Sequence, residues 1–226
     1  MATTARDVGK AIATIPGKVG PTAGSALLRL VDAAIDGVYT LPSAKVSAAR
    51  ALQRKVDTDE AVEWLIGTHV AMASAQGFAT NVGGVVTAIL TTPANITGVV
   101  VIQVRLVACI AHLRGYDIDD RRVRTAMLMC LLGDEDLTRQ IASGRLPTSP
   151  MAVATAPVSD GDLDVKVAER IVADVLANVG GKKLSSFVMR KIPLVGGGIG
   201  AISDGYGTHV IGQCAKNQLP SRRRSE

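Results

Sequence analysis

Residues 64–104 read WLIGTHVAMASAQGFATNVGGVVTAILTTPANITGVVVIQV, a stretch without one Asp, Glu, Lys or Arg. Apolar and polar residues do not alternate along it, so the period of two that marks a half-buried strand is missing. Apolar positions instead recur at helical spacing, most clearly Val99, Ile102, Leu106, Cys109, Ile110 and Leu113. The spacing predicts a helix through about Ala75, a glycine bend at Gly77 and a short apolar helix near Val85 to Leu90. After a break at Thr92-Pro93 it predicts a long helix from about Asn95 to Arg114, with Gly115 as its C-terminal cap.

The stretch admits two placements. A bilayer core takes about 20 apolar residues per helix, so 64–104 is long enough for a hairpin or a shallow insertion. Asn81, Asn95, Gln103 and several threonines lie within it, however, and each would need a hydrogen-bond partner in lipid. The other placement is the centre of a helical bundle. Upstream, Leu27, Leu30, Val31, Ala34 and Ile35 form a helical stripe over about 22–38. A basic amphipathic helix is expected over 43–56, with Val46, Ala49, Leu52 and Val56 inward and Lys45, Arg50, Arg54 and Lys55 outward.

Downstream, Asp117, Asp119 and Asp120 are suited to cap a helix that carries Val123, Met127, Cys130 and Leu131 inward and stops at Gly133. Residues 144–162, rich in Pro, Ser, Thr and Gly, read as an internal linker, and a helix from about Leu163 to Val179 follows. The last apolar run holds Gly196, Gly197, Gly200 and Gly205, spaced as small residues that let one helix lie close on another. Ile15-Pro16 and Val19-Gly20 weakly echo Ile192-Pro193 and Val195-Gly196. The expected fold is all-α, a bundle of apolar, glycine-interrupted helices forming a single domain over 1–226.

Composition agrees with that plan. Of 226 residues only 3% are aromatic while 23 are glycine, so the core must be Ala, Val, Ile and Leu. Mean hydropathy is +0.27 and the pI about 9.3, with a formal charge of +5. A basic balance favours anionic lipid; with few stacking aromatics and no recognition motif, nucleic acid is not an expected partner. Cys109, Cys130 and Cys214 are an odd set without a CxxC pair and read as buried thiols in a reducing compartment. No apolar run follows the charged Met1–Lys10 segment, so the expected location is cytoplasmic, at the inner face of the membrane.

Little in the sequence suggests catalysis. His69, His112 and His209 have no metal-ligand spacing, and the glycine-rich run lacks a phosphate-loop lysine. Ser203, Asp204 and His209 supply the residue types of a hydrolase triad without a nucleophile elbow. No catalytic residue, metal or cofactor is expected. The positions worth following are polar groups in apolar surroundings: Asp204, the one charge between Lys191 and Lys216, together with Arg105, Asn81, Asn95, Gln103 and His112. Asp204 and Arg105 are a candidate ion pair.

The order of these features resembles the EcsC protein family. The resemblance rests on Leu30-Val31-Asp32-Ala33-Ala34-Ile35-Asp36-Gly37, on Gly77-Phe78-Ala79-Thr80-Asn81, on Gln103-x-Arg105-Leu106-Val107, on His112-Leu113-Arg114-Gly115-Tyr116-Asp117 and on Ile192-Pro193-Leu194-Val195-Gly196-Gly197. A similar layout occurs in the membrane-associated helical domain that follows certain bacterial GTPase domains. The resemblance implies an all-helical, membrane-proximal protein and, through gene neighbourhood, a role accessory to a transporter. The expected function is a non-enzymatic protein that contacts membrane lipid or a membrane protein. The alternatives are a soluble helical adaptor and a hydrolase.

Overall fold

The computed structural model describes residues 21–37, 42–81, 93–157, 162–163, 165–171 and 198–222. These form α1 (Pro21–Asp36), α2 (Ala44–Arg54), α3 (Thr58–Asn81), α4 (Pro93–Leu113), α5 (Arg121–Cys130), α6 (Gly133–Ala142), α7 (Pro150–Ala154) and α8 (Gly198–Gln218). Residues 165–171 are also helical, and no strand occurs among the described residues. The fold is all-α, as its sequence periodicity predicts.

Helix α4 is the axis of the bundle. Leu106, Val107, Ala108, Cys109, Ile110, Ala111 and Leu113 are each 0% exposed. A helix apolar all round must be enclosed by protein or lipid, and here α1, α2, α3, α5 and α8 all pack against it. Within the described part of the uncharged stretch, Leu65, Ile66, His69, Ala73, Val101, Ile102 and Val104 are buried, whereas Gly67, Ala71 and Ala75 leave one face of α3 exposed. Among the described residues no helix is long and apolar enough to cross a membrane. Phe78 to Thr97 carry no described side chains, so the short helix expected near Val85 to Leu90 lies outside the described residues.

Local signals set the helix limits. Ser43 caps α2 by accepting from the Val46 amide at 3.3 Å, and Asp57 accepts from the Glu60 amide at 2.8 Å at the start of α3. Asp120 caps α5 through the Arg122 amide at 2.9 Å. Gly115 ends α4 at φ +84°, with the Tyr116 amide reaching back to the Ala111 carbonyl at 3.0 Å. That six-to-one closure needs a left-handed residue, which glycine supplies without steric cost.

Three expectations are corrected. Gly77 does not bend the chain: α3 runs through it to Asn81, and Gly77 is buried. The α5 helix stops at Cys130, three residues before the expected Gly133, which with φ +75° opens α6, whose first turn carries Asp134, Glu135 and Asp136. The inner face of α2 is Ala44, Ala48 and Ala51, all 0% exposed, whereas Val46 is 43% and Val56 92% exposed. An alanine face lets α2 lie close on α4, near enough for the Cys109 thiol to donate to the Ala44 carbonyl at 3.4 Å. Close backbone approach thus outweighs the gain from burying two valines.

Within 144–162, expected as a linker, Leu146, Pro150, Val153 and Ala154 are buried and α7 packs on α5, while 158–161 lie outside the described residues. The outer tie of the bundle is α8 on α3, the most extensive helix pair. A Cβ on Gly205 would strike Ser74 Oγ, and one on Gly212 would lie 2.9 Å from Ile66 Cγ1 and 3.1 Å from Leu106 Cδ2. At both Gly205 and Gly212 the absence of a side chain lets α8 lie close on α3. Gly196 and Gly197 lie outside the described residues, as do Ile15 to Gly20 and Ile192 to Val195.

Candidate functional site

Arg105 comes from the most enclosed part of α4 and is 2% exposed. Its Nη2 donates to Ser47 Oγ at 2.6 Å and more weakly to the Ser43 carbonyl at 3.5 Å. Its Nη1 is buried without a partner. Neither contact is a carboxylate, and burial lowers the guanidinium pKa. A buried cation held only by neutral oxygens is costly, because the charge loses its hydration without gaining a counter-charge.

His69 faces the same region from α3 and is 3% exposed. Its Nδ1 lies 2.8 Å from the Leu65 carbonyl, which can only accept, so Nδ1 carries the proton. Burial, with the nearby Arg105 charge, pushes the imidazole pKa down to about 4, so the ring is neutral near pH 7. Nε2 is then a bare acceptor, and it too is buried without a partner.

The two residues line one cleft of about 200 Å³, with Ser47, Arg50 and Arg54 from α2 and Trp64 and Thr68 from α3. No lining residue is acidic. Arg54 lies over the Trp64 ring, 5.5 Å from its centroid. The cleft exists because α2 leans on α4 through alanines, leaving its Ser47–Arg50–Arg54 flank over the gap to α3.

The remaining sequence-derived positions are scattered. Gln103 leaves α4 towards α8 and donates to Thr208 Oγ1 at 3.4 Å; that hydroxyl donates to the Asp204 carbonyl at 2.7 Å. The Arg105–Asp204 ion pair is not formed. Arg105 is committed to the start of α2, and Asp204 remains a half-buried carboxyl whose pKa desolvation raises to about 6. His112 sits at the far end of α4, near Asp119. Asn81 ends α3 and Asn95 lies in the first turn of α4, their side chains outside the description, as are the surroundings of Gly200.

In the sequence His69 lacks metal-ligand spacing and stands alone in an apolar run. Its one signal is that it is the only titratable residue in 64–104, with Arg105 the first charge after it.

Chemically the cleft can hold an anion. The Cys109 and Cys214 thiols are not activated nucleophiles: burial pushes Cys109 up to about 12, and a hydrogen bond with Cys130, together with burial, raises Cys214. Asp204 and His209 are five residues apart on α8, and His209 is exposed. Among the described residues no group of three or more His, Cys, Asp or Glu could hold a metal. A family model described as the EcsC protein family matches residues 2–223 of the chain. No curated protein and no solved structure matches it.

Proposed function

The chain belongs to the EcsC protein family, and from that premise we propose that it is a non-enzymatic helical protein that docks peripherally on an anionic membrane surface. The observation that carries this is the outer face of α2. Lys45, Arg50 and Arg54 project there beside the exposed Val46, and Lys55 and the exposed Val56 follow directly. No acidic residue occurs from Ser43 to Val56. Lys45 is partly offset by Asp119, 2.5 Å away. Basic side chains with projecting apolar ones are what an interfacial helix presents to anionic headgroups, each cation near the surface contributing about 1 kcal/mol. Trp64, at the adjoining cleft, is of the type that settles at headgroup depth.

Flotation of the full-length protein with vesicles tests the proposal. It should float with phosphatidylglycerol-containing vesicles but not with pure phosphatidylcholine, and raised salt should release it. Val56→Asp combined with Lys55→Glu should abolish flotation without unfolding the chain. A wild-type protein that stays at the bottom with every vesicle composition would remove membrane docking from consideration. An adaptor role is favoured by one feature, Ile202 and Tyr206, which are 44% and 56% exposed one turn apart on α8. It predicts a saturable protein partner lost in Ile202→Asp.

A further inference from the structure

We propose that the cleft between α2, α3 and α4 binds a phosphate group with a hydrogen to donate, either its own P–OH or a hydroxyl beside it. Arg105 Nη1 would take an anionic oxygen and His69 Nε2 would accept the hydrogen. This goes beyond membrane docking, since it concerns a pocket beneath the α2 surface and holds for a free phosphate ester as well as a lipid headgroup.

Four features of the cleft converge on it. Two side chains more than nine-tenths buried line one cleft, and each keeps one nitrogen without a partner. Buried polar atoms are nearly always satisfied, so an orphan nitrogen on each of two side chains lining the same cleft points to an absent group. The orphans differ in kind: a guanidinium N–H asks for an acceptor, while a ring nitrogen whose neighbour is committed to the Leu65 carbonyl asks for a donor. A ligand answering both must carry an anionic oxygen and a hydrogen close together, as hydrogen phosphate, a phosphate monoester or a glycerol phosphate headgroup does.

The charge balance agrees. Arg50 and Arg54 join Arg105 around the cleft with no lining carboxylate to neutralise them. An anion seated there would meet three guanidinium groups and no carboxylate. Size agrees too: about 200 Å³ is less than the roughly 300–1,000 Å³ of a drug-sized pocket, yet ample for a phosphate and a few waters. A fully deprotonated sulfate offers His69 nothing, so the same geometry predicts discrimination between two tetrahedral anions.

Calorimetric titration of the full chain near pH 7 with glycerol 1-phosphate, inorganic phosphate and sulfate is the test. Saturable one-to-one binding of the phosphates, about tenfold or more tighter than sulfate, is expected. Arg105→Met should weaken phosphate about tenfold or more, and Arg105→Lys, which keeps the charge, should weaken it less. His69→Leu should erase the preference over sulfate. Equal binding of sulfate, no saturable binding of any of the three, or unchanged binding in Arg105→Met would each overturn the proposal.

Flotation on phosphatidylglycerol vesicles separates the two sources and the two claims. Glycerol phosphate binding together with flotation that is weakened by Arg105→Met identifies a lipid headgroup. Glycerol phosphate binding without flotation leaves the cleft standing for a free phosphate ester and removes membrane docking. Flotation without glycerol phosphate binding does the reverse.

Discussion

Gly212→Leu should cost about 3 kcal/mol of folding stability or more. The first carbon of any side chain at 212 already lies 2.9 Å from Ile66 Cγ1 and 3.1 Å from Leu106 Cδ2. Ile66 is 2% and Leu106 0% exposed, so neither can move aside into solvent. The remaining carbons of a leucine would have to push α8 off α3, the most extensive helix contact in the bundle. Higher helix propensity returns only about 1 kcal/mol. For a domain of this size the loss corresponds to a fall in Tm of roughly 6–12 °C. Gly67 is the internal control: it lies in α3 with nothing within 4 Å of an added Cβ, so Gly67→Ala should stabilise by about 1 kcal/mol. Thermal unfolding followed by circular dichroism distinguishes the two, and a Gly212→Leu protein that melts with the wild type would show that α8 does not pack as described.

Between pH 6.5 and 4, two interior groups should pull stability in opposite directions. His69 falls from an ordinary 6.5 to about 4 in the folded chain. The unfolded chain takes the proton first, so this stability is fully present above pH 6.5 and is lost as pH falls to about 4. The gap is worth about 3 kcal/mol. Asp204 is raised from 3.8 to about 6, so its favourable contribution is present below pH 3.8 and is lost as pH rises through 6. Being half-buried and partly screened, it is worth about 1–2 kcal/mol.

In the wild type the two slopes oppose each other, and the profile should be shallow. Asp204→Asn should gain about 1–2 kcal/mol at pH 7.5 and then lose stability steeply towards pH 4. Asp119 and Asp120 are both lowered by basic neighbours and act only below 3.8, outside the window. Urea unfolding at a series of pH values measures this. A wild-type profile that Asp204→Asn leaves unaltered would contradict the raised Asp204 carboxyl, and an Asp204→Asn profile that stays flat towards pH 4 would contradict the lowered His69.

The sequence carried much of the fold because its strongest signals are local. Pro21, Ser43, Pro93, Gly115 and Asp120 act on their own turns, so α1, α2, α4 and α5 could be placed within a few residues of where they lie. What failed depended on partners. Whether α2 turns its valines or its alanines inward is decided by how closely α4 can approach, and Val46 and Val56 say nothing about that. Gly77 can continue a helix or break it, and its burial in α3 is a tertiary fact.

The site was less legible. Arg105 stands out as the first charge after an uncharged run and Asp204 as a lone acid in an apolar helix, but the sequence does not orient one toward the other, and the helix register sends the guanidinium to Ser47 instead. His69 joins it only because α3 and α4 pack side by side. Thirty-six positions separate the two residues, and no short motif spans that distance.

If the Arg105 guanidinium serves a ligand, it burdens the empty fold. Denaturant unfolding of Arg105→Met without added phosphate tests it most directly. Removing a buried charge that has no carboxylate partner should leave the protein as stable as the wild type, or up to about 2 kcal/mol more stable. A loss of about 2 kcal/mol or more would mean instead that the guanidinium is a strut holding α2 to α4.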